Sequence, residues 1–138
     1  MEPVHPDIAQ AKTLDTSFYT EPAYYHDTKE KIFAPSWQWL GDVSGLPSQG
    51  SCMPITLLPG MLDEPLLLTR DNAGHIHCMS NVCTHRGNLV VTEPCQVSGL
   101  RCKYHGRLFH LDGSFRQMPE FAEVKDFPSA SDNLHRLP

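Results

Sequence analysis

The stretch NVCTHRGNLVVTEPCQVSGLRCKYHGRLF, residues 81–109, sets one Cys–His pair after another. One residue separates Cys83 from His85, two separate Cys102 from His105, and sixteen lie between the pairs. A glycine follows each histidine closely, Gly87 and Gly106. Thiolates are strong, soft ligands for iron and zinc, and neutral imidazole serves either metal. Zinc sites usually join two cysteines about two to four residues apart and then two histidines. Here each clip mixes the two ligand types, and the first is a residue shorter. That mixture suits a binuclear cluster in which one iron takes both cysteines and the other both histidines. A structural zinc module that binds a partner is the alternative.

The rest of the chain bounds what such a centre could serve. Its 138 residues fit one domain with a modest extension, and 40% hydrophobic with 20% charged residues is an ordinary globular balance. The formal net charge is −5 and no basic stripe appears, which argues against a nucleic-acid partner. The N-terminus, MEPVHPDIAQAKTLDT, has acidic residues and prolines where a signal peptide needs a basic start and an apolar run. No stretch approaches the roughly 18 consecutive apolar residues of a membrane helix. Five cysteines form no regular secreted framework, so reduced thiols and a cytoplasmic location are expected.

Residues 1 to about 17 read as a loose arm. Within YTEPAYYHDTKEKIFAPSW, Thr20 can cap a helix, Glu21 and Pro22 suit its first turn, and Pro35 stops it. Tyr24, Thr28 and Ile32, with Tyr25 and Phe33 beside them, form a stripe expected to pack. Short apolar or alternating runs follow: WQWLGDV, MPITLLP, EPLLLTR, GHIHCMS, NLVVTE, LRCKY, RLFHL and SFRQM. Asp112-Gly113 predicts a two-residue hairpin, and LLLTRDNAGHIHCM a hairpin with a longer loop. Many short strands with frequent turns imply an antiparallel sandwich or barrel. The last twelve residues, FPSASDNLHRLP, lack any pattern.

CTHRG followed by CKYHG resembles the Rieske [2Fe–2S] motif, Cys-x-His, a gap in the mid-teens, then Cys-x-x-His. The resemblance implies a mostly β, Rieske-type antiparallel β-sandwich with a small cluster-binding subdomain and an N-terminal helix. Expected boundaries are 1–36 for the arm and helix, 37–130 for the Rieske domain with its subdomain at about 80–120, and 131–138 for the start of a linker or a truncated end. It further implies that Cys83 and Cys102 hold the buried iron and that His85 and His105 hold the outer one through Nδ1. Arg86, Gly87, Tyr104, Gly106 and Arg107 would surround the cluster, with Tyr104 covering it and its hydroxyl available as a donor. Gly113 and Pro119 match the family's glycine turn and proline-bearing loop.

Respiratory Rieske proteins carry an extra cysteine in each clip, joined in a disulfide, and a serine after the second His-Gly. Asn88, Tyr104 and Arg107 stand there instead, so the resemblance implies no such disulfide. The missing serine donor implies a potential toward the low end of the Rieske range of about −150 to +300 mV. The segment FYTEPAYYHDTKEKIFAPSWQWLGD is similar to the entry of Rieske oxygenase large subunits, ring-hydroxylating dioxygenases and quaternary-ammonium monooxygenases among them. There a helix precedes a tryptophan-containing strand.

By this resemblance the domain passes electrons from a ferredoxin or reductase to a mononuclear iron, for O2-dependent hydroxylation in a catalytic oxygenase domain of the same or a neighbouring subunit. His85 and His105 are the expected contact. The chain itself offers no catalytic residue, since His110 and His135 are the only histidines after His105 and neither forms a helical pair with a carboxylate. A stand-alone Rieske ferredoxin is the competing reading. The family commonly has Trp where Arg107 stands; the Arg either adds charge near the cluster or lies exposed.

Other candidates are weaker. His75 and His77 face one side of a predicted strand and are expected as surface histidines of a hairpin. Cys52, Cys78 and Cys95 read as packing or incidental thiols. No carboxylate pair, phosphate loop, nucleophile elbow or dinucleotide fingerprint is present.

Overall fold

The computed structural model describes residues 4–121 and 123–138. The chain divides into two compact units, Met1–Trp39 and Leu40–Pro138.

In the first unit the expected helix forms from Pro22, one residue later than its expected cap implies, and a short helix precedes it. Helix α1 spans Thr16–Thr20 and α2 spans Pro22–Thr28, continued by a π-helical turn at Lys29–Phe33. The break sits at Glu21, which is extended at φ −90° and ψ 125°. A residue that precedes proline is pushed out of the helical region, and Pro22 at the first position of α2 has no N–H to give. Thr20 therefore ends α1 instead of capping α2; its hydroxyl donates back to the Thr16 carbonyl. After the π-helical turn the Ala34 N–H reaches the Lys29 carbonyl at 2.9 Å, and Pro35 ends the run.

The expected packing stripe is only partly covered: Tyr24 and Thr28 are half-buried, but Ile32 is exposed. WQWLGDV does not form the strand anticipated for it, and Trp37 and Trp39 are 83% and 86% exposed.

The second unit is antiparallel β. Strands β1 (Ser51–Leu57), β2 (Glu64–Arg70) and β3 (Ile76–Ser80) form a meander, and β4 (Cys95–Gln96) joins the far side of β1 in the order β3-β2-β1-β4. Strands β5 (Leu100–Arg101), β6 (Leu108–Phe109) and β7 (Phe115–Gln117) form a second sheet in chain order. Central strand β2 buries consecutive residues, Leu66 and Leu67, so both its faces are covered. Thr69, also buried, donates its hydroxyl to the Leu111 carbonyl at 2.5 Å and ties β2 to the loop of the second sheet.

Both predicted hairpins form. The β2–β3 loop closes with Asp71 N–H on the His75 carbonyl, and β6–β7 with His110 N–H on the Ser114 carbonyl. The second turn is longer than the two-residue hairpin expected from Asp112-Gly113. Leu111, Asp112 and Gly113 form its loop, Gly113 at φ 83°. Such three-residue loops end in a left-handed residue. The Asp112 carboxylate accepts from the Ser114 N–H and hydroxyl, which favours this arrangement. NLVVTE gives no strand, only a bridge between Val82 and Leu89. Buried Asn81 holds that segment instead: its side chain donates to the Val91 carbonyl at 2.7 Å and accepts the Val91 N–H at 3.0 Å.

The core gathers Leu67, Met79, Val90, Leu100, Phe109, Leu111 and Leu134, with Cys83 and Cys102 among them. Leu134 belongs to the patternless C-terminal segment, which docks along β3. Ser80 N–H meets the His135 carbonyl at 2.8 Å, Leu137 N–H meets that of Cys78 at 2.9 Å, and Met79 bridges Arg136.

His77 was expected at the surface of its hairpin, yet it is half-buried between two partners. Its Nε2 donates to Asp71 at 2.8 Å, and its Nδ1 accepts from Arg136 at 2.8 Å.

Candidate metal centre

Each Cys–His pair lies on a loop closed by the same two backbone bonds. In the first, Cys83 N–H meets the Asn88 carbonyl at 2.9 Å and Gly87 N–H meets the Cys83 carbonyl at 3.0 Å. In the second, Cys102 N–H meets the Arg107 carbonyl at 2.9 Å and Gly106 N–H meets the Cys102 carbonyl at 3.1 Å. The left-handed residue is the fifth of each, Gly87 at φ 70° and Gly106 at φ 75°. The unequal spacing in the sequence is thus no difference in backbone. Histidine is the third residue of one turn and the fourth of the other.

The turns set the candidate ligands out as two pairs, thiol with thiol and imidazole with imidazole. Cys83 and Cys102 are each 2% exposed, inside the hydrophobic core. His85 is half-buried and His105 exposed, and their rings meet edge to face with centroids 4.7 Å apart. Burial pushes the Cys83 thiol up, and the neighbouring Cys102 thiol adds to this, while the His85 backbone and Arg107 oppose it. Loss of water, then His105, Arg107 and Arg86, hold the His85 imidazole below its usual value. That shift favours the neutral form, the one that ligates metal.

Among the described residues, no three His, Cys, Asp or Glu side chains gather about one point as a mononuclear site requires. A two-iron cluster asks each iron for only two protein ligands. Two buried thiols and two imidazoles nearer the surface fit that demand better than they fit one zinc ion.

The surroundings add to the sequence reading in three places. Tyr104 lies exposed with its ring 3.8 Å from that of His105, flanking the imidazole. Asn88, seen in the sequence only as the place of an absent cysteine, donates from Nδ2 to Cys102 Sγ at 3.8 Å, from one loop to the other. Of the two alternatives left open for Arg107 the exposed one does not hold, since it is 3% exposed. Its Nη1 donates to Thr84 Oγ1 at 2.8 Å and to Asp132 Oδ1 at 3.1 Å, and its Nε points at Met118 Sδ at 3.4 Å. Arg86 is exposed beside His85. Pro119 comes close to Gly106, and Phe121 stands 6.1 Å from the His85 ring.

The Rieske [2Fe–2S] domain family matches residues 36–128, a span that holds both turns and both sheets. The chain belongs to the Rieske [2Fe–2S] domain family. A Rieske-type [2Fe–2S] cluster is therefore its cofactor. Among relatives, choline monooxygenase of Spinacia oleracea is 37% identical over 105 residues, which cover 75% of this chain and 23% of that protein. The crystal structure of the quaternary ammonium Rieske monooxygenase CntA with L-carnitine superposes with a TM-score of 0.81 at 26% identity, covering 93% of this chain and 36% of that one. Naphthalene 1,2-dioxygenase from Rhodococcus sp. gives 0.75 at 26% identity, covering 88% and 28%. This Rieske chain spans about a quarter of the length of the curated relatives it matches. No helix among its described residues is long and apolar enough to cross a membrane.

Proposed function

We propose that this chain is the electron-transfer domain of a Rieske non-haem iron oxygenase, with Cys83 and Cys102 ligating one iron and His85 and His105 the other. One-electron redox chemistry is what the cluster supplies when bound. The protein's own part is to bury two thiolates, hold two imidazoles nearer the surface and keep water from the sulfur side. The observation that carries the assignment is the pair of matching turns, each with a core-buried cysteine, whose histidines meet edge to face.

Charge enters from a ferredoxin or reductase and leaves for a mononuclear iron in a catalytic domain. The exposed imidazole edges are the contact for one or both. The relatives' names favour an oxygenase over a free carrier, and the 37% identity to a choline monooxygenase favours a monooxygenase acting on a quaternary ammonium compound.

The test is iron and sulfide analysis of the purified chain with an EPR spectrum after dithionite reduction. Two irons, two sulfides and a rhombic signal of low average g are expected. About one zinc per chain and a silent spectrum, from protein made with ample iron, would overturn the assignment.

A further inference from the structure

The side chain two places after His105 is a cation in the protein interior, and its contacts join three separate parts of the chain. Thr84, which accepts from Arg107, lies between the two candidate ligands of the first turn. The Thr84 hydroxyl in turn donates a hydrogen bond to the Asp132 backbone carbonyl at 2.8 Å. Asp132 is itself held, since its Oδ2 accepts from the Ser129 N–H at 2.7 Å and from the Ser129 hydroxyl at 3.0 Å. The guanidinium carbon sits 5.4 Å from the ring centroid of Phe115 and 5.6 Å from that of Phe127. Burying a cation among aromatic rings is costly unless it is paired, and here one carboxylate and one hydroxyl meet it. Burial alone would raise the Asp132 carboxyl, but the Ser129 bonds and then Arg107 more than offset it, so it stays charged.

The two charges are not equally hidden. The Arg107 side chain is 4% exposed and that of Asp132 17%, so water screens the anion more than the cation. The cation also touches the first turn directly, and the second turn closes on its own carbonyl. The cation is thus the less screened of the two charges held against the first turn.

Resting on the Rieske assignment above, we propose that Arg107 is a positioning residue that clamps both cluster turns to the C-terminal segment and raises the reduction potential of the cluster, with Asp132 limiting how much of its charge is felt. Reduction adds one electron and one negative charge to the cluster, so a nearby cation favours the reduced form. A neutral side chain filling the same aromatic box would give the packing without the field.

The full chain is tested as holoprotein, with wild type, Arg107→Gln, Arg107→Lys and Asp132→Asn compared at one pH. Midpoint potential is read by titration, and cluster retention by iron release to a chelator. Arg107→Gln should lower the potential and Asp132→Asn raise it, in opposite senses although both break the same ion pair. Arg107→Lys keeps the charge but loses the fork, so it should hold its potential near wild type and release iron several-fold faster. Shifts of the same sign in Arg107→Gln and Asp132→Asn, or none in either, would overturn the proposal. Should Arg107→Gln fail to hold a cluster, Asp132→Asn decides alone, and an unchanged or lowered potential there refutes it. A wild-type protein without two irons and two sulfides would sink the Rieske assignment itself, a result separable from a failure of the clamp.

Discussion

Gly87 and Gly106 occupy the same place in two copies of one turn, with φ of 70° and 75°, but only one of them has a close neighbour. A Cβ built on Gly87 meets nothing within 4 Å, whereas one on Gly106 would lie 3.3 Å from Pro119 Cγ. Alanine at Gly87 should cost about 1–2 kcal/mol, the strain of a left-handed L-residue. Gly106→Ala should cost more, because the proline-bearing loop must also give way. Urea unfolding of the two variants measures the difference, and equal losses would contradict it.

Asn88 bridges the turns through its contact with the Cys102 sulfur. Hydrogen bonds to ligand sulfur spread the negative charge of a reduced cluster and raise its potential. Asn88→Ala should therefore lower the midpoint potential while iron and sulfide content stay at the wild-type level. Loss of the cluster with no change in the potential of the remainder would point to a folding role instead.

The hairpin between β2 and β3 carries a pH-dependent contribution. The hydrogen bond from His77, chiefly, pulls the Asp71 carboxyl from 3.8 down to about 2, against some loss of water; the His75 and Ala73 N–H groups add to it. A carboxyl depressed on folding adds stability above its unfolded value, and that contribution is lost as pH falls through the folded one. Asp71→Asn should therefore melt below wild type near neutral pH, and the gap should close between about pH 4 and pH 2. Melting curves across that range check the sign; a gap that ignores pH would show that the carboxylate charge is irrelevant.

Leu134 tests whether the C-terminal segment is part of the folded unit. Leu134→Ala should destabilise by about 2–5 kcal/mol, as a truncation inside a packed core does. That is a large share of the about 5–15 kcal/mol typical of a domain. A change below about 0.5 kcal/mol, the scale of a surface site, would mean the segment is only laid against the sheet.

The parts of this fold that could be read in the sequence are those encoded locally. The two Cys–His clips identify themselves by residue type and spacing. The two hairpins are announced by Asp71-Asn72-Ala73-Gly74 and Asp112-Gly113, although the loop length of the second depends on the Asp112–Ser114 bonds. The helix break at Glu21 was also local: Pro22 removes a donor and restricts the residue before it. Its signal was read as a helix start, and the short segment ahead of it went unseen.

Distant partners account for the remainder. Arg107 is buried because Asp132, twenty-five residues on, meets its charge, and FPSASDNLHRLP has no periodicity to announce that. The same segment contributes Leu134 to the core and Arg136 to His77 through contacts that no local window contains. WQWLGDV has the composition of a strand but forms none in the described residues, which shows how little composition decides without a pairing edge.

One property of the twin turns bears on how such centres can be altered. Their backbone bonds involve the first, fifth and sixth residues and leave the third and fourth free of that closure. Which donor atom is presented is therefore a choice made independently of the scaffold. The histidine can be relocated within a turn, or exchanged for another side chain, while the peptide framework that seats the cysteine stays as it is.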